Sequence, residues 1–121
     1  MKLHVLAATL SCMLGSAAYA ECVYPRAPTG TPDGLTATQE EMLAGMQAVK
    51  DYNERVTTYL DCLEKELTER LQAAGPSATS EQVAQIKAIH HKRHNAAVEA
   101  LEAHAAQFNE QVKTFKARNK G

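Results

Sequence analysis

From Met42 to Leu71 the apolar residues Met42, Met46, Val49, Tyr52, Val56, Tyr59, Leu60, Leu63, Leu67 and Leu71 recur three or four positions apart. A strand alternates with period two, so only a helix gathers such a set onto one face. Its start is marked by Thr36 with Gln39 or by Thr38 with Glu41, either pair able to form a capping box in which each side chain satisfies an orphan amide. Gly75-Pro76 ends it, because glycine supplies a left-handed cap and proline cannot continue the helix. A second helix begins at Thr79 or Ser80, with Gln82 placed for another capping box. Its stripe runs through Val83, Ile86, Ile89 or His90, Ala97, Leu101, Ala105, Phe108, Val112 and Phe115. Lys113, Lys116, Arg118 and Lys120 gather at its C-terminal end, where positive charge suits the helix dipole.

The predicted helices cover about residues 38–73 and 79–118, each roughly 50 Å long at the usual rise per residue. A connection this short makes them antiparallel neighbours. The fold class predicted is therefore all-α, an antiparallel two-helix hairpin.

The segment before the hairpin reads "AYAECVYPRAPTGTPDG" over residues 18–34. Upstream of it, Lys2, an apolar run from Leu3 to Leu14 and the small-x-small pattern Ala18-Tyr19-Ala20 predict a signal peptide over residues 1–20, cleaved between Ala20 and Glu21. Neither Cys12 nor Cys22 has the small-residue surroundings of an acylated cysteine. The run is also shorter than a bilayer span needs, and no transmembrane segment is expected elsewhere. The predicted product is periplasmic or secreted. Cleavage leaves Cys22 and Cys62, and two cysteines in an exported chain predict one disulfide.

From Cys22 to Thr38 an extended chain reaches about 50 Å, enough to run back along the roughly 36 Å of helix between Thr38 and Cys62. Residues 21–35 are thus expected to form a strap, stiffened by Pro25, Pro28 and Pro32 and reversing at Pro32-Asp33-Gly34. Residues 36–121 form the hairpin domain. Two helices alone cannot cover each other's apolar faces, so the strap, a second copy in a four-helix dimer, or both must complete the core. The stripe residues Met42, Met46, Val49, Tyr52, Val56 and Tyr59, with Leu101, Phe108, Val112 and Phe115, are accordingly the expected interaction surface, for other exported proteins or for the chain itself.

Loss of Lys2 leaves a small acidic excess, since the whole chain carries a net charge of −1. Nothing in that balance points to nucleic acid or to an anionic membrane. The densest titratable cluster is His90-His91-Lys92-Arg93-His94. His90 and His94 share a helical face at the spacing that zinc or copper sites use, and His104 lies nearly on the same stripe. No glutamate follows His90 to complete a metalloprotease pattern. A nucleophile elbow, a phosphate-binding glycine loop and a C-x-x-C pair are all missing, and the chain is read as a non-enzyme without a cofactor. Two functions from different classes follow: an interaction, scaffold or chaperone-like module, or a metal-binding or metal-buffering protein using His90, His94 and His104.

Leu35-Thr36-Ala37-Thr38-Gln39 resembles the LTxxQ motif of small periplasmic helical stress chaperones and metal-responsive sensors. This chain has one copy where those proteins usually show two, and it carries a cysteine pair they generally lack. The wider arrangement of Cys22, the proline strap, Pro32-Asp33-Gly34 and Tyr59-Leu60-Asp61-Cys62-Leu63 is similar to small exported bacterial proteins of unknown function. That likeness implies export and a helical fold but no activity.

Overall fold

Two capping boxes start the two helices. In the computed structural model, which describes residues 21–120, α1 spans Gln39–Ala74 and α2 spans Ser80–Arg118. The signal peptide expected over residues 1–20 lies outside the described residues. Of the two starts open for α1, Thr38 with Glu41 is the one used: the Glu41 amide donates to Thr38 Oγ1 at 3.1 Å and the Thr38 amide donates to Glu41 Oε2 at 2.7 Å. Thr79 and Gln82 repeat the arrangement at α2, at 3.1 and 2.9 Å. Gly75 ends α1 with φ at 73°, and its amide donates to the Leu71 carbonyl.

The helices pack antiparallel. Tyr52 meets His104 edge to face at 5.7 Å between ring centroids, and Phe108 lies beside Gly45. The segments YNERVTTY at 52–59 and FNEQVKTF at 108–115, which share Asn, Glu, Val and Thr at matching places, therefore sit at different heights along the hairpin. Two apolar clusters fill the seam. One gathers Tyr52, Val56, Tyr59, Leu63 and Ala97 around Cys22; the other, toward the open end, gathers Ala37, Met42 and Phe108 with Val49, Val112 and Phe115 packed against them.

Cys22 and Cys62 are disulfide-bonded, with 5.7 Å between their α-carbons. From that bond the strap runs back along α1. Tyr24 packs edge-on against Tyr59 at 5.3 Å, Pro25 is buried, and Pro32 reaches Gly45. The strap covers the seventeen helix positions from 62 to 45, about 26 Å, with ten residues, which requires a nearly extended chain. It reverses at Asp33, whose carbonyl accepts the amides of Thr36 and Ala37 at 3.1 and 2.7 Å. Gly34 presses flat onto α2: its amide donates to Gln111 Oε1 at 2.8 Å, and a β-carbon there would collide with the α2 backbone, at 2.9 Å from the Phe115 nitrogen. Arg118 closes the end by donating to the Leu35 and Ala37 carbonyls at 2.6 and 2.7 Å.

This third layer is one of the two covers expected for the apolar stripe, and it hides much of the set read as the interaction surface. Met42, Tyr52, Val56, Tyr59 and Phe108 are buried, Val49, Leu101, Val112 and Phe115 are half-buried, and only Met46 of the set is exposed. The thin hairpin hides more than two helices could, because the disulfide lays the strap over one side of the seam.

Gly45 tests that account. Alanine raises helix propensity by about 1 kcal/mol over glycine, yet a β-carbon at position 45 would lie 2.7 Å from Pro32 Cγ and 2.8 Å from Phe108 Cε2. Overpacking of that kind costs about 1–3 kcal/mol, and Pro32 is held in a pinned segment. Gly45→Ala should therefore lower the urea midpoint; a raised midpoint would show that the strap does not bear on α1 there.

Candidate interaction site at the strap

Of the groups that the sequence offered for metal binding, the structure keeps His90 and His94 side by side and sets His104 apart. His90 is buried, and its Nε2 lies 3.0 Å from Oε1 of the mostly exposed Glu64. His94 is its neighbour, with 6.1 Å between ring centroids, and His91 lies at 5.4 Å on its other side. His104 stands apart, edge to face with Tyr52, about 15 Å further along α2 than His94. Among the described residues no three His, Cys, Asp or Glu side chains converge as a metal set. Glu64 is the carboxylate that reaches His90.

Glu66 serves another purpose. Buried in the seam, it accepts from Arg93 at 2.8 Å across the hairpin and from Arg70 at 2.6 Å one turn along α1. Burial pushes its carboxyl up, but hydrogen bonds from Arg93 and Arg70, with their charges, outweigh that and hold it below the usual carboxylate range. The Arg93 guanidinium also lies over the Tyr59 ring, 6.0 Å from its centroid. The sequence signal for half of this network was the i,i+4 pair of Glu66 and Arg70; Arg93 becomes its partner only once the helices are in register. Asn53 and Glu54, by contrast, are exposed and give their carbonyls to the Thr57 and Thr58 hydroxyls.

A concavity with exposed apolar residues on its strap side lies where the strap meets α1. Val23, Tyr24, Pro25 and Arg26 form one wall; Arg55, Thr58, Tyr59 and Cys62 form the other, enclosing a shallow cleft of about 540 Å³. Every strap residue here is placed by the disulfide at one end and by the proline-stiffened chain at the other. Val23 is 84% exposed and Tyr24 51%. Arg55 donates through Nε to the Asp51 carbonyl at 3.3 Å and lies near the Tyr52 ring, while the Asp51 carboxylate accepts from Gln47 instead. None of the ion pairs among the described residues includes Arg26 or Arg55. A second shallow groove, of about 490 Å³, lies between Val49, Lys50 and Asn53 of α1 and Leu101, Glu102 and Ala105 of α2. Its lining residues include Val49 and Leu101 of the expected surface.

No known protein family, no characterised protein and no solved structure matches this chain.

The seam network predicts a pH dependence. A carboxyl whose folded pKa lies below its unfolded value adds stability that is fully present above the unfolded value, 4.5 for Glu66, and is lost as pH falls through the folded one. Thermal midpoints measured from neutrality downward should therefore drop below about pH 4.5, and Glu66→Gln should be less stable at neutral pH with a flatter decline in the acid range. An unchanged acid slope in Glu66→Gln would remove the network from the account.

Proposed function

We propose that the chain is a small exported, non-enzymatic interaction module, scaffold or chaperone-like in action, that engages other exported proteins through the strap side of its hairpin. One observation carries this reading: Val23 and Tyr24, the exposed apolar residues of the disulfide-bonded end, project from a segment that is covalently held and stiffened by proline. Isolated surface apolar residues are ordinary, but apolar and aromatic groups fixed in advance bind with little further ordering cost. The cleft is shallow, and the small-molecule sites of enzymes enclose most of their ligand. A disulfide suits an oxidising compartment, which supports a periplasmic or secreted location. Among the described residues no helix is long and apolar enough to cross a membrane.

Photo-crosslinking tests the reading. A crosslinking residue substituted at Tyr24 should give discrete adducts with exported proteins in cells, or an adduct of twice the chain mass if the partner is a second copy. The same residue at Lys87, an exposed position on α2 outside both grooves, should give few. Val23→Ser should reduce the Tyr24 adducts while leaving helix content unchanged. Equal background labelling at both positions would contradict the strap as the working surface.

A further inference from the structure

The strap cleft has a charge as well as a shape. Arg26 lines it from the strap and Arg55 from α1, together with the exposed apolar side chains of Val23 and Tyr24 and the buried Pro25 and Tyr59. Among the described residues no carboxylate lines the cleft. Asp51, one turn before Arg55, gives it only its backbone carbonyl and commits its side chain to Gln47, and neither the adjacent Glu54 nor Asp61 forms an ion pair with it. Two guanidinium groups, each able to present a planar pair of donors, thus line one cleft from different segments of a chain whose net charge is negative.

We propose that this cleft binds an acidic segment of a partner protein, with an Asp or Glu carboxylate held between Arg26 and Arg55 and an adjacent apolar side chain laid against Val23, Tyr24 and Pro25. The inference rests on the strap being the working surface and names what that surface recognises. Charge complementarity selects the carboxylate: two arginines that take part in no ion pair among the described residues gain a charge-assisted hydrogen bond from an incoming anion without breaking an existing pair. Openness selects a polypeptide over a small anionic amphiphile. A small ligand must be mostly enclosed to bind well, whereas Val23 continues the apolar wall outward onto the surface, where only a larger partner covers it. Tyrosine and arginine side by side are also the residue types that dominate binding energy in protein interfaces.

The disulfide is part of the recognition. Tyr24 and Arg26 belong to the strap, and their placement opposite Tyr59 and Arg55 depends on Cys22 being bonded to Cys62. The arginine pair exists as a pair only while the strap is held.

The test titrates the exported, oxidised protein with three fluorescent hexapeptides alternating leucine with glutamate, glutamine or lysine, and with decanoate as a small amphiphile. Binding is followed by anisotropy for the peptides and by backbone amide shifts for all four. The glutamate peptide should shift amides at residues 23–26 and 55–62 and should bind at least about tenfold more tightly than the glutamine peptide, the gain of roughly one charge-assisted contact. Substituting both Arg26→Ala and Arg55→Ala should erase that difference, and Arg26→Lys with Arg55→Lys should restore part of it. Both side chains are exposed, and unchanged helix content and disulfide in each variant confirm that the fold is intact. Equal affinity for the glutamate and glutamine peptides at these same amides would overturn the acidic preference while leaving the strap as an interaction surface. Shifts confined to other residues, or none at all, would overturn both. Decanoate binding in the cleft more tightly than the glutamate peptide would overturn the choice of a polypeptide.

Discussion

The bond between Cys22 and Cys62 is what the remaining architecture depends on. Two antiparallel helices meet along a line and leave each other's flanks wet; a third layer is needed, and here it is an extended strap. Among the described residues, no backbone hydrogen bond ties residues 21–32 to either helix; the first backbone bonds of the segment are those to the Asp33 carbonyl. Such a chain has to be held by its ends. The disulfide fixes one end, and Gly34 with Gln111 and Arg118 fixes the other. Closing a loop of 40 residues contributes on the order of 4 kcal/mol by restricting the unfolded chain. Pro25, Pro28 and Pro32 act in the same direction, removing backbone freedom that ordering would otherwise cost. With the strap in place Tyr59 gains a cover in Tyr24, and the face of α1 that carries Tyr52, Val56 and Leu63 becomes a dry interior.

Apolar stripes alone do not fix how two long helices slide past each other, since a shift of one turn brings similar residues together. The polar pairs remove that freedom. Glu66 sits between Arg70 of its own helix and Arg93 of the other, and His90 meets Glu64 nearby. A slide of one turn would leave the buried Glu66 carboxylate without its cross-helix partner, a penalty out of proportion to the modest net gain of the intact pair. At the opposite end Gly45 admits Pro32 and Phe108 together, a steric key that works in one register.

Much of this was legible in the sequence, and the rest divides by distance along the chain. The helices, both capping boxes, the glycine stop and the hairpin follow from local spacing, and helix bounds agree to within a residue. The disulfide was legible because the expected signal-peptide cleavage would leave two cysteines, and the strap because its length matches the helix it must traverse. How much of the apolar stripe the strap would hide was not legible. That depends on Gly34 and Gly45 allowing backbone-close approach, and each looks alone like an ordinary glycine. The strap cleft was missed for a similar reason: Tyr24 with Arg26, and Arg55 with Tyr59, are each unremarkable locally. Their opposition follows only from counting back along both segments from Cys22 and Cys62. His104 shares a helical stripe with His90 and His94, yet the facing helix offers it Tyr52 rather than a common ligand.

The central claim is that the crosslink, rather than packing by itself, places the strap against α1. Contacts between the Tyr24 and Tyr59 rings, measured by nuclear Overhauser effects in the oxidised protein and in a Cys22→Ser, Cys62→Ser double variant, test it directly. The account predicts strong cross-peaks in the oxidised protein, in keeping with rings 5.3 Å apart, and their loss in the double variant while both helices persist. Cross-peaks of equal strength in the double variant would show that the strap packs without its staple and would contradict the account.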